Sequence, residues 1–560
     1  MHRPRPFALL PIVRLTLLVL LSLGWAQAPL SAADFFVCEC ATGAAAGCVP
    51  GDDDDSGSEV QPWRSYERAR SAFGSLSPGD AIRFCRGGAW DVAGVGSRWV
   101  NRDCRAVTPC VVGAYVPSWG NVDAPRPIVH RLDGTHGFSF ADGGDAEHEE
   151  GYVFESLDVR STSGSGNGFF VQNDIDDVTL RDVSVSGFRL GVYVAASNPC
   201  SADPECDGRN ERIVLERSSI LHNESQGWLG ASNGSQILDS YFEGNGSLEV
   251  FDHNIYLSGS QGTPSDGMRV VGNRLYRSDL DDQGICRGVS LVVHGDHTNL
   301  LIEGNEVWED VGLAGPGCWG IAVDPGYSEA ESFVGVTIRG NVVRNVGGVG
   351  IGVASCEDCV IENNVIIQEN SFATRAISAP DRSRAPNDLP MDAVVVRNNS
   401  IYLGAASSGT AIRLNGEGSD HVLASNAVHY AGSSASFNCL DTDLPVGAYV
   451  DIDHNLCFHP AAPGAEWADG MGSLLDWRAV SGFDGQSSEI DPGFTTAGDL
   501  RPGSGAAATV NSGHPTWSSP EAIGGLPRDA EPDRGAHEWG VSLLFADGFE
   551  SGDLAAWAPP

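Results

Sequence analysis

Apolar and polar side chains alternate along short segments through most of this chain, and the segments recur in a fixed order. From about residue 150 to 457 the order is a β-rich segment, a polar turn residue, a second β-rich segment and a glycine-rich turn, as at 302–307, 338–343, 361–366 and 396–401. Alternation with period two is typical of β-strands, and helical periodicity is nearly absent. The pattern predicts stacked short strands and excludes a helical bundle.

One turn position can be followed through eleven copies of the repeat. Its occupants are Leu157, Val183, Ser218, Ser240, Asn273, Asn305, Asn341, Asn364, Asn399, Asn426 and Asn455. The intervals between them run from 22 to 36 residues. A minimum with a variable excess is typical of solenoid coils that carry loop insertions. Stacked asparagines can share amide hydrogen bonds, and eleven coils at the ~4.8 Å strand spacing give a rod of about 50 Å.

One strand of each coil is predicted to place alternate residues inside and outside. The pairs expected to point inward are Phe169/Val171, Val192/Val194, Ile255/Leu257, Val289/Leu291, Ile321/Val323, Ile351/Val353 and Ile412/Leu414. The residues then expected to point outward are Tyr193, Tyr256, Ser290, Ala322, Gly352, Ser378 and Arg413. Because the interior is filled, a ligand must lie on the outer face, where a groove across several coils suits a linear polymer.

Motifs at both ends of the repeat carry a family resemblance. An acidic loop at 51–57 precedes Pro62-Trp63, and a Pro-Gly-Asp at 78–80 precedes an Arg-Gly-Gly at 86–88; residues 531–538 read Glu-Pro-Asp-Arg-Gly-Ala-His-Glu. With the turn asparagines, these residues resemble the right-handed parallel β-helix proteins of the pectate-lyase-like superfamily, in its secreted bacterial form, over about residues 34–540. The resemblance implies an all-β fold, a single right-handed parallel β-helix solenoid of about eleven or more coils with loop insertions.

The N-terminus carries the pattern of a secretory signal. Three arginines and no acid precede a short apolar run at 15–23, and small residues follow at 31–33. That run is too short to span a bilayer, so cleavage near Ala33 and export are expected. We therefore expect a signal peptide at 1–33, capping coils at 34–150, the β-helix core at 151–460, closing coils at 461–540 and a short tail at 541–560.

Composition and net charge exclude some classes of binding partner and predict disulfides. The chain has 560 residues, with 74 acidic side chains against 34 basic ones, all arginine, and a net charge of −40. Such acidity argues against nucleic acid and anionic membrane surfaces, and no membrane span is expected after the signal. The 14 cysteines are an even number in an exported chain, so disulfides are expected. Cys200/Cys206, Cys356/Cys359 and Cys439/Cys457 lie close in sequence; zinc or redox chemistry at Cys356/Cys359 is the alternative.

The densest cluster of candidate chemistry lies at 252–256. Abstraction of a proton beside a uronate carboxylate needs a base and a cation that stabilises the enolate-like intermediate. His253 or Tyr256 is the expected base or acid, and Arg287 the expected cation. Expected substrate-binding residues are Asn254, His294, Trp319, Asp324, Arg375 and Arg413. The alternative is structural: such a histidine often bonds backbone in a turn, and an outward tyrosine often only covers a sheet.

Calcium is the expected cofactor. Asp279, Asp281 and Asp282 form an acidic loop that could bind it. The resemblance adds that pectate lyases and their relatives often combine calcium with a lysine or arginine, a role that only arginine can fill here. The signatures of polygalacturonase-like hydrolases are absent.

Two functions remain open at this level. The first is a secreted, monomeric polysaccharide lyase or C5-epimerase acting on a uronate-containing polymer. The second is a non-catalytic glycan-binding or surface rod. They differ in local charge, because an enzyme groove should gather the arginines that a passive rod would scatter: Arg287, Arg375, Arg382, Arg384 and Arg413.

Overall fold

The strands stack into three long parallel sheets. The computed structural model describes residues 32–142, 149–196, 208–247, 251–259, 263–327, 329–380, 382 and 388–540. Sheets of 14, 13 and 12 strands run the length of this part of the chain, and each strand pairs with its counterparts one coil before and after. This is the right-handed parallel β-helix that the family resemblance implies, and it has the stacked coils that the turn pattern predicts. The predicted signal peptide, up to residue 31, and the tail from 541 lie outside the described residues.

The first sheet begins each coil. Its strands are Asp34–Val37, Ala81–Cys85, Cys110–Tyr115, Glu150–Glu155, Asp176–Arg181, Val214–Glu216, Gln236–Leu238, Arg269–Val271, Leu301–Glu303, Thr337–Arg339, Val360–Glu362, Val395–Arg397, His421–Ala424 and Tyr449–Asp453. The second sheet follows the asparagine turn. Its strands are Ala89–Val92, Ile128–Arg131, Asp158–Ser161, Ser184–Ser186, Ser219–Leu221, Tyr241–Glu243, Arg274–Tyr276, Glu306–Trp308, Val342–Arg344, Val365–Gln368, Ser400–Leu403, Ala427–Tyr430 and Leu456–Phe458.

The third sheet closes each coil. Its strands are Phe138–Ala141, Asn167–Gln172, Leu190–Ala195, Trp228–Leu229, Ile255–Ser258, Val289–His294, Trp319–Val323, Val349–Val353, Ala373–Pro380, Ser408–Asn415, Asn438–Asp441 and Glu466–Ala468. A four-stranded sheet follows it in the middle coils. Its strands are Ser265–Asp266, His297–Thr298, Phe333–Val334 and Cys356–Glu357.

Short elements close the two ends. An α-helix at Tyr66–Phe73 covers the first coils and buries Tyr66, Ala69 and Phe73. A second α-helix at Leu474–Ser481 follows the last third-sheet strand, and 3₁₀ turns lie at Val446–Ala448 and Ile523–Gly525. The closing segment forms two antiparallel hairpins, Phe494–Thr496 with Asp499–Pro502 and Glu521–Ala522 with Leu526–Pro527.

The predicted asparagine stack is present at the turn between the first and second sheets. The backbone N–H of Asn305 donates to the side-chain oxygen of Asn341 at 2.9 Å, and the Asn305 amide nitrogen donates to the same oxygen at 2.9 Å. The same pair of bonds recurs from Asn273 through to Asn455. Each turn from Asn273 to Asn426 is thus bonded to the turn of the next coil.

The predicted inward pairs are confirmed except at one coil. Leu291 aligns with Ile255 and Ile321 in the core column of the third sheet. Ser290, predicted to point outward, is 2% exposed and accepts a bond from the Asn254 amide, whereas Val289, predicted to point inward, is half-buried. The inward pair of this strand is Leu291 and Val293, aligned with Ile255 and Leu257, so the predicted pair was placed two residues too early. Ser290 precedes that pair and is buried, as Asn254 is before Ile255. Val292 takes the outward place predicted for Ser290.

Disulfides fasten the coils, as predicted. Those among the described residues are Cys38–Cys85, Cys40–Cys48, Cys104–Cys110, Cys286–Cys318, Cys356–Cys359 and Cys439–Cys457. Cys200 and Cys206 lie outside them. This disulfide content is typical of exported proteins. No helix in the described part of the chain has the length and hydrophobicity needed to cross a bilayer.

Candidate functional site

The outward residues of the third sheet form one continuous column, which we call the outer row. Parallel pairing puts its members in register along the rod: Arg98, Ser139, Phe170, Tyr193, Leu229, Tyr256, Val292, Ala322, Gly352, Ser378, Arg413 and Asp441. Apart from Ser290, the residues predicted to point outward are on this row.

A cluster of rings lies over the middle of the outer row. We call Tyr256, His294, Tyr327 and Glu331 the His294 cluster. The hydroxyls of Tyr256 and Tyr327 are 3.0 Å apart. The imidazole of His294 lies between the two rings, with centroid distances of 5.5 Å to Tyr256 and 5.4 Å to Tyr327. His294 reaches this place because it stands two residues beyond Val292, the neighbour of Tyr256 in the row.

A buried carboxylate holds the cluster together. Glu331 is 1% exposed, and its Oε1 accepts the backbone N–H groups of Gly326, at 2.6 Å, and Tyr327. Its Oε2 accepts the N–H of Gly295 in the preceding coil and lies 3.8 Å from His294 Nδ1. One side chain therefore fixes both the loop that presents Tyr327 and the turn that presents His294.

The tautomer of His294 follows from its neighbour. Its Nδ1 bonds the backbone carbonyl of Asp324, and because a carbonyl only accepts, Nδ1 carries the proton. Nε2 is then the basic nitrogen of the neutral ring. Gly326 allows the close packing, since a Cβ there would come within 2.7 Å of both ring nitrogens.

Electrostatics keep the tyrosines protonated. Burial raises the pKa of Tyr256 far above its ordinary value, and the bond to Tyr327 raises it further. Burial also raises the pKa of Tyr327. Both hydroxyls therefore stay neutral at physiological pH and can donate a proton.

An arginine lies at the end of the same strands. Arg382 pairs through Nη1 with Asp324 Oδ2, and its backbone N–H donates to Ser355 Oγ at 3.0 Å. Farther along the outer row, Arg413 lies 3.4 Å from Asp441, and Arg375 is exposed near Arg413. The predicted arginines thus lie along the third sheet with acidic partners beside several of them; Arg384 is outside the described residues.

His253 and Asn254, both predicted site residues, are buried instead of facing the groove. His253 is 4% exposed, and its Nδ1 donates to the Val289 carbonyl at 2.8 Å. Burial lowers the pKa of His253 to about 3, so the ring is neutral at physiological pH. The buried His253 ring packs against the ring of Tyr256, with 5.5 Å between the ring centroids. Asn254 is fully buried, and its oxygen accepts a bond from Asn245 at 2.9 Å, so a ligand on the outer face cannot reach it.

Arg287 lies at the other end of its strand. Its Nη2 is 2.6 Å from Asp281 Oδ2, and it stands five residues before Val292, about 16 Å along an extended strand. The structure therefore brings His253 and Tyr256 together but pairs Arg287 with an aspartate. Trp319, at that same end, aligns with Val289 and is half-buried.

The aspartates predicted to bind calcium are differently engaged. Asp281 accepts the backbone N–H groups of Gln283 and Ile285, both at 2.9 Å, besides pairing with Arg287, and Asp282 is exposed. Asp279 is 4% exposed, and its Oδ2 has no hydrogen-bond partner; burial, then Asp252, raises its pKa to about 7. In the described part of the chain, three possible metal-ligand atoms come together only at Cys286, Glu309 and Cys318, two of which form a disulfide. Among the described residues, Asp279, Asp281 and Asp282 do not bring three ligand atoms within 4.8 Å of one another, and calcium binding stays a prediction.

The sequence pattern did not indicate Tyr327 and Glu331 as site residues. Both lie in the insertion after the Trp319–Val323 strand, where the repeat gives no register. The available signal was position alone, because a loop that follows a third-sheet strand returns over the outer row.

Comparison with known proteins gives the fold only. No family model matches the chain, and no curated protein matches it in sequence. Among solved structures it is similar to the A-module of the mannuronan C-5 epimerase AlgE6 of Azotobacter vinelandii (14% identity, 70% of this chain, 93% of that chain, TM-score 0.45). It is also similar to the PL6 family polysaccharide lyase Pedsa3628 from Pseudopedobacter saltans (13%, 78%, 95%, 0.44) and to the pectate lyase Pel9A (14%, 91%, 97%, 0.37).

Proposed function

We propose that this protein is a secreted polysaccharide lyase or C5-epimerase that acts on a uronate-containing polymer lying along the outer row. The observation that carries the proposal is the His294 cluster: a half-buried imidazole of defined tautomer between two protonated tyrosines, with Arg382 nearby. A base, an acid and a cation are the groups that elimination beside a carboxylate requires.

The lyase and epimerase reactions share their first steps. Arg382 binds the uronate carboxylate, and His294 Nε2 removes the proton at C5. In a lyase, the electrons form the C4–C5 double bond, the bond from C4 to the glycosidic oxygen breaks, and Tyr256 or Tyr327 protonates that oxygen. In an epimerase, the C4–O bond stays intact and a tyrosine returns a proton to the opposite face of C5. Arg382 thereby takes the role that the sequence assigned to Arg287.

Absorbance of the unsaturated uronate product tests the lyase. The mature protein would be mixed with polygalacturonate, alginate and glucuronan, each with calcium and with chelator. His294→Ala should lower the rate at least 100-fold, because a positioned base contributes about 10²–10⁴-fold. His130→Ala is the matched control: His130 has similar exposure and an aspartate partner, but lies on the second sheet. Equal rates for wild type and His294→Ala would contradict the proposed base, and loss of rate in chelator would establish the cation requirement.

Proton exchange tests the epimerase. If absorbance stays flat, incubation in D₂O should place deuterium at C5 of the polymer, as followed by NMR, and His294→Ala should abolish the exchange. No exchange and no absorbance on any polymer would contradict both enzymes.

The second candidate is a non-catalytic glycan-binding rod. It is favoured by the acidic partners that neutralise Arg287, Arg382 and Arg413. Binding of a polymer without turnover, equal in wild type and His294→Ala, would support it.

A further inference from the structure

The N-terminal end of the rod has a cavity of reversed charge. It has a volume of about 720 Å³ and is lined by Arg70, Arg98, Arg102 and Arg105 with Asp103 and Glu149. Acidic residues outnumber basic ones 74 to 34 in the chain, whereas basic residues outnumber acidic ones four to two here. A cavity focuses such charge and raises the local concentration of anions.

The cavity is built from rigid parts. Arg70 stands in the last turn of the capping helix Tyr66–Phe73. The amide nitrogen of the buried Asn101 donates to Phe73 O at 2.6 Å and to Leu76 O at 3.0 Å, which fixes the arginine loop against that helix. Cys104 is tied to Cys110 at the start of a first-sheet strand. The backbone that carries the four arginines is therefore fixed before any ligand arrives, and such preorganisation favours binding.

Three of the four arginines already pair with carboxylates. Arg70 donates to both oxygens of Glu67, at 3.0 Å from Nε and 2.6 Å from Nη2. Arg102 Nε lies 3.5 Å from Glu149, and Arg105 Nε lies 3.9 Å from Glu150. Arg98 donates from one nitrogen to the Ala141 carbonyl at 3.0 Å. A guanidinium has five N–H donors in a planar fork that matches a carboxylate or sulfate. Arg105 also donates from Nη1 to the carbonyls of Arg102 and Cys104, at 2.5 and 2.7 Å. The donors that remain for an anionic group are therefore Nη2 of Arg105 and Nη1 of Arg98.

Arg98 connects the cavity to the outer row. It pairs beside Ser139 and so is the first member of the row. Five coils separate it from Tyr256, about 24 Å at the spacing of parallel strands. Phe170 and Tyr193 lie between them on the row, with rings stacked at 5.2 Å. A linear chain lying along the row would thus meet aromatic residues and then the arginines.

We propose that this cavity is an anion subsite that holds a carboxylate or sulfate group of an acidic glycan lying along the outer row. The proposal rests on the proposed function in taking the ligand to be an acidic glycan. It adds a second anchoring point, distant from the His294 cluster, in a chain whose net charge otherwise repels such a polymer.

Calorimetry on the inactive His294→Ala protein tests the subsite without turnover. The probes are an oligouronate long enough to span the five coils, a sulfated neutral oligosaccharide of equal length, its unsulfated form and inorganic sulfate. Arg98→Gln and Arg105→Gln should each weaken binding of the anionic oligosaccharides about tenfold, as expected for a hydrogen bond between charged groups. Arg160→Gln, which removes an exposed arginine on the second sheet, is the matched control.

The outcomes separate the two hypotheses. Tighter binding of the oligouronate identifies a carboxylate ligand, tighter binding of the sulfated probe a sulfate ligand, and either supports the subsite. Equal binding of the unsulfated probe, or unchanged binding in Arg98→Gln and Arg105→Gln with normal thermal unfolding, overturns it. A flat absorbance and exchange assay with arginine-dependent binding would remove the enzyme and keep the subsite. An active enzyme with arginine-independent binding would do the reverse.

Discussion

The asparagine stack and the His294 cluster are both built from polar side chains at coil ends, yet they are organised in opposite ways. In the stack, seven coils from Asn273 to Asn455 repeat the same two bonds at 2.9–3.1 Å. In the cluster every contact occurs once, and Glu331 reaches into two coils to make it. The repeated amides fix the same turn in successive coils, whereas Glu331 fixes one loop and one turn that have no counterpart in the other coils of the cluster.

Removing one stacked amide should have the largest effect on stability. Asn341 is fully buried; it accepts two bonds from Asn305 and donates to Ile302, Arg339 and Asn364. Asn341→Ala leaves several buried groups unpaired, at about 1–3 kcal/mol each, so the free energy of unfolding should fall by about 3–5 kcal/mol in denaturant titration. Asn438→Ala removes one bond to Asp469 on the surface and should cost under about 1 kcal/mol. Equal losses of unfolding free energy in the two variants would show that a stacked asparagine contributes no more to stability than a surface one.

In the His294 cluster, a substitution should lower the turnover rate more than the stability. Tyr327→Phe removes the hydroxyl 3.0 Å from Tyr256 but keeps the ring beside His294, so we expect the turnover rate to fall about 10–100-fold. The free energy of unfolding should change by under about 1.5 kcal/mol, the net value of one hydrogen bond. Tyr402→Phe, on the second sheet, is the control for removal of a hydroxyl. A large loss of stability without loss of rate would make Tyr327 structural.

This contrast also marks how far the sequence could predict the molecule. The fold follows from positions that recur, because a side chain such as Asn364 meets its own kind above and below and its place is fixed by the repeat. The same logic placed Tyr256 outward. It failed at Ser290, because the inward pair of that strand is Leu291/Val293, two residues later than the pattern placed it.

The site depends on what does not recur. Tyr327 lies in an insertion that the contact from Glu331 to its backbone holds in place, and no periodicity encodes that contact. Arg287 stood close to the candidate tyrosine by strand order, but five residues of extended chain separate it from Val292. His253 is buried and therefore does not face the groove. The burial of a polar residue just before a strand is not visible in a linear sequence pattern.

The pH dependence of the free energy of unfolding should also distinguish the loops from the asparagine stack. A buried loop carboxyl such as Glu309 titrates, whereas the stacked amides do not. Burial raises the pKa of Glu309 to about 8, with Arg277 opposing and Asp310 adding to the shift, and its Oε2 has no hydrogen-bond partner. The folded state then holds a proton that the unfolded state releases near pH 4.5. Stability should therefore fall as pH rises from about 5 to 8, by up to about 1.4 kcal/mol per pH unit. Denaturant titrations across this range should show a smaller slope for Glu309→Gln, and an unchanged slope for the part-exposed Glu306→Gln.

Arg287 provides the smallest and most selective test of the contrast. Its bond to Asp281 is a half-exposed ion pair, worth about 0–1 kcal/mol, and it lies about 16 Å along the strand direction from the Tyr256 position. Arg287→Gln should therefore lower the free energy of unfolding by at most about 1 kcal/mol, and it should change the lyase or exchange rate by less than about twofold. Arg382→Gln, measured beside it, should lower the rate at least tenfold, because it removes the cation that binds the substrate carboxylate. If Arg287→Gln proved the more damaging variant, the groove would have to extend to the other edge of the third sheet. Asp281 and Asp279 would then become part of the site instead of its border.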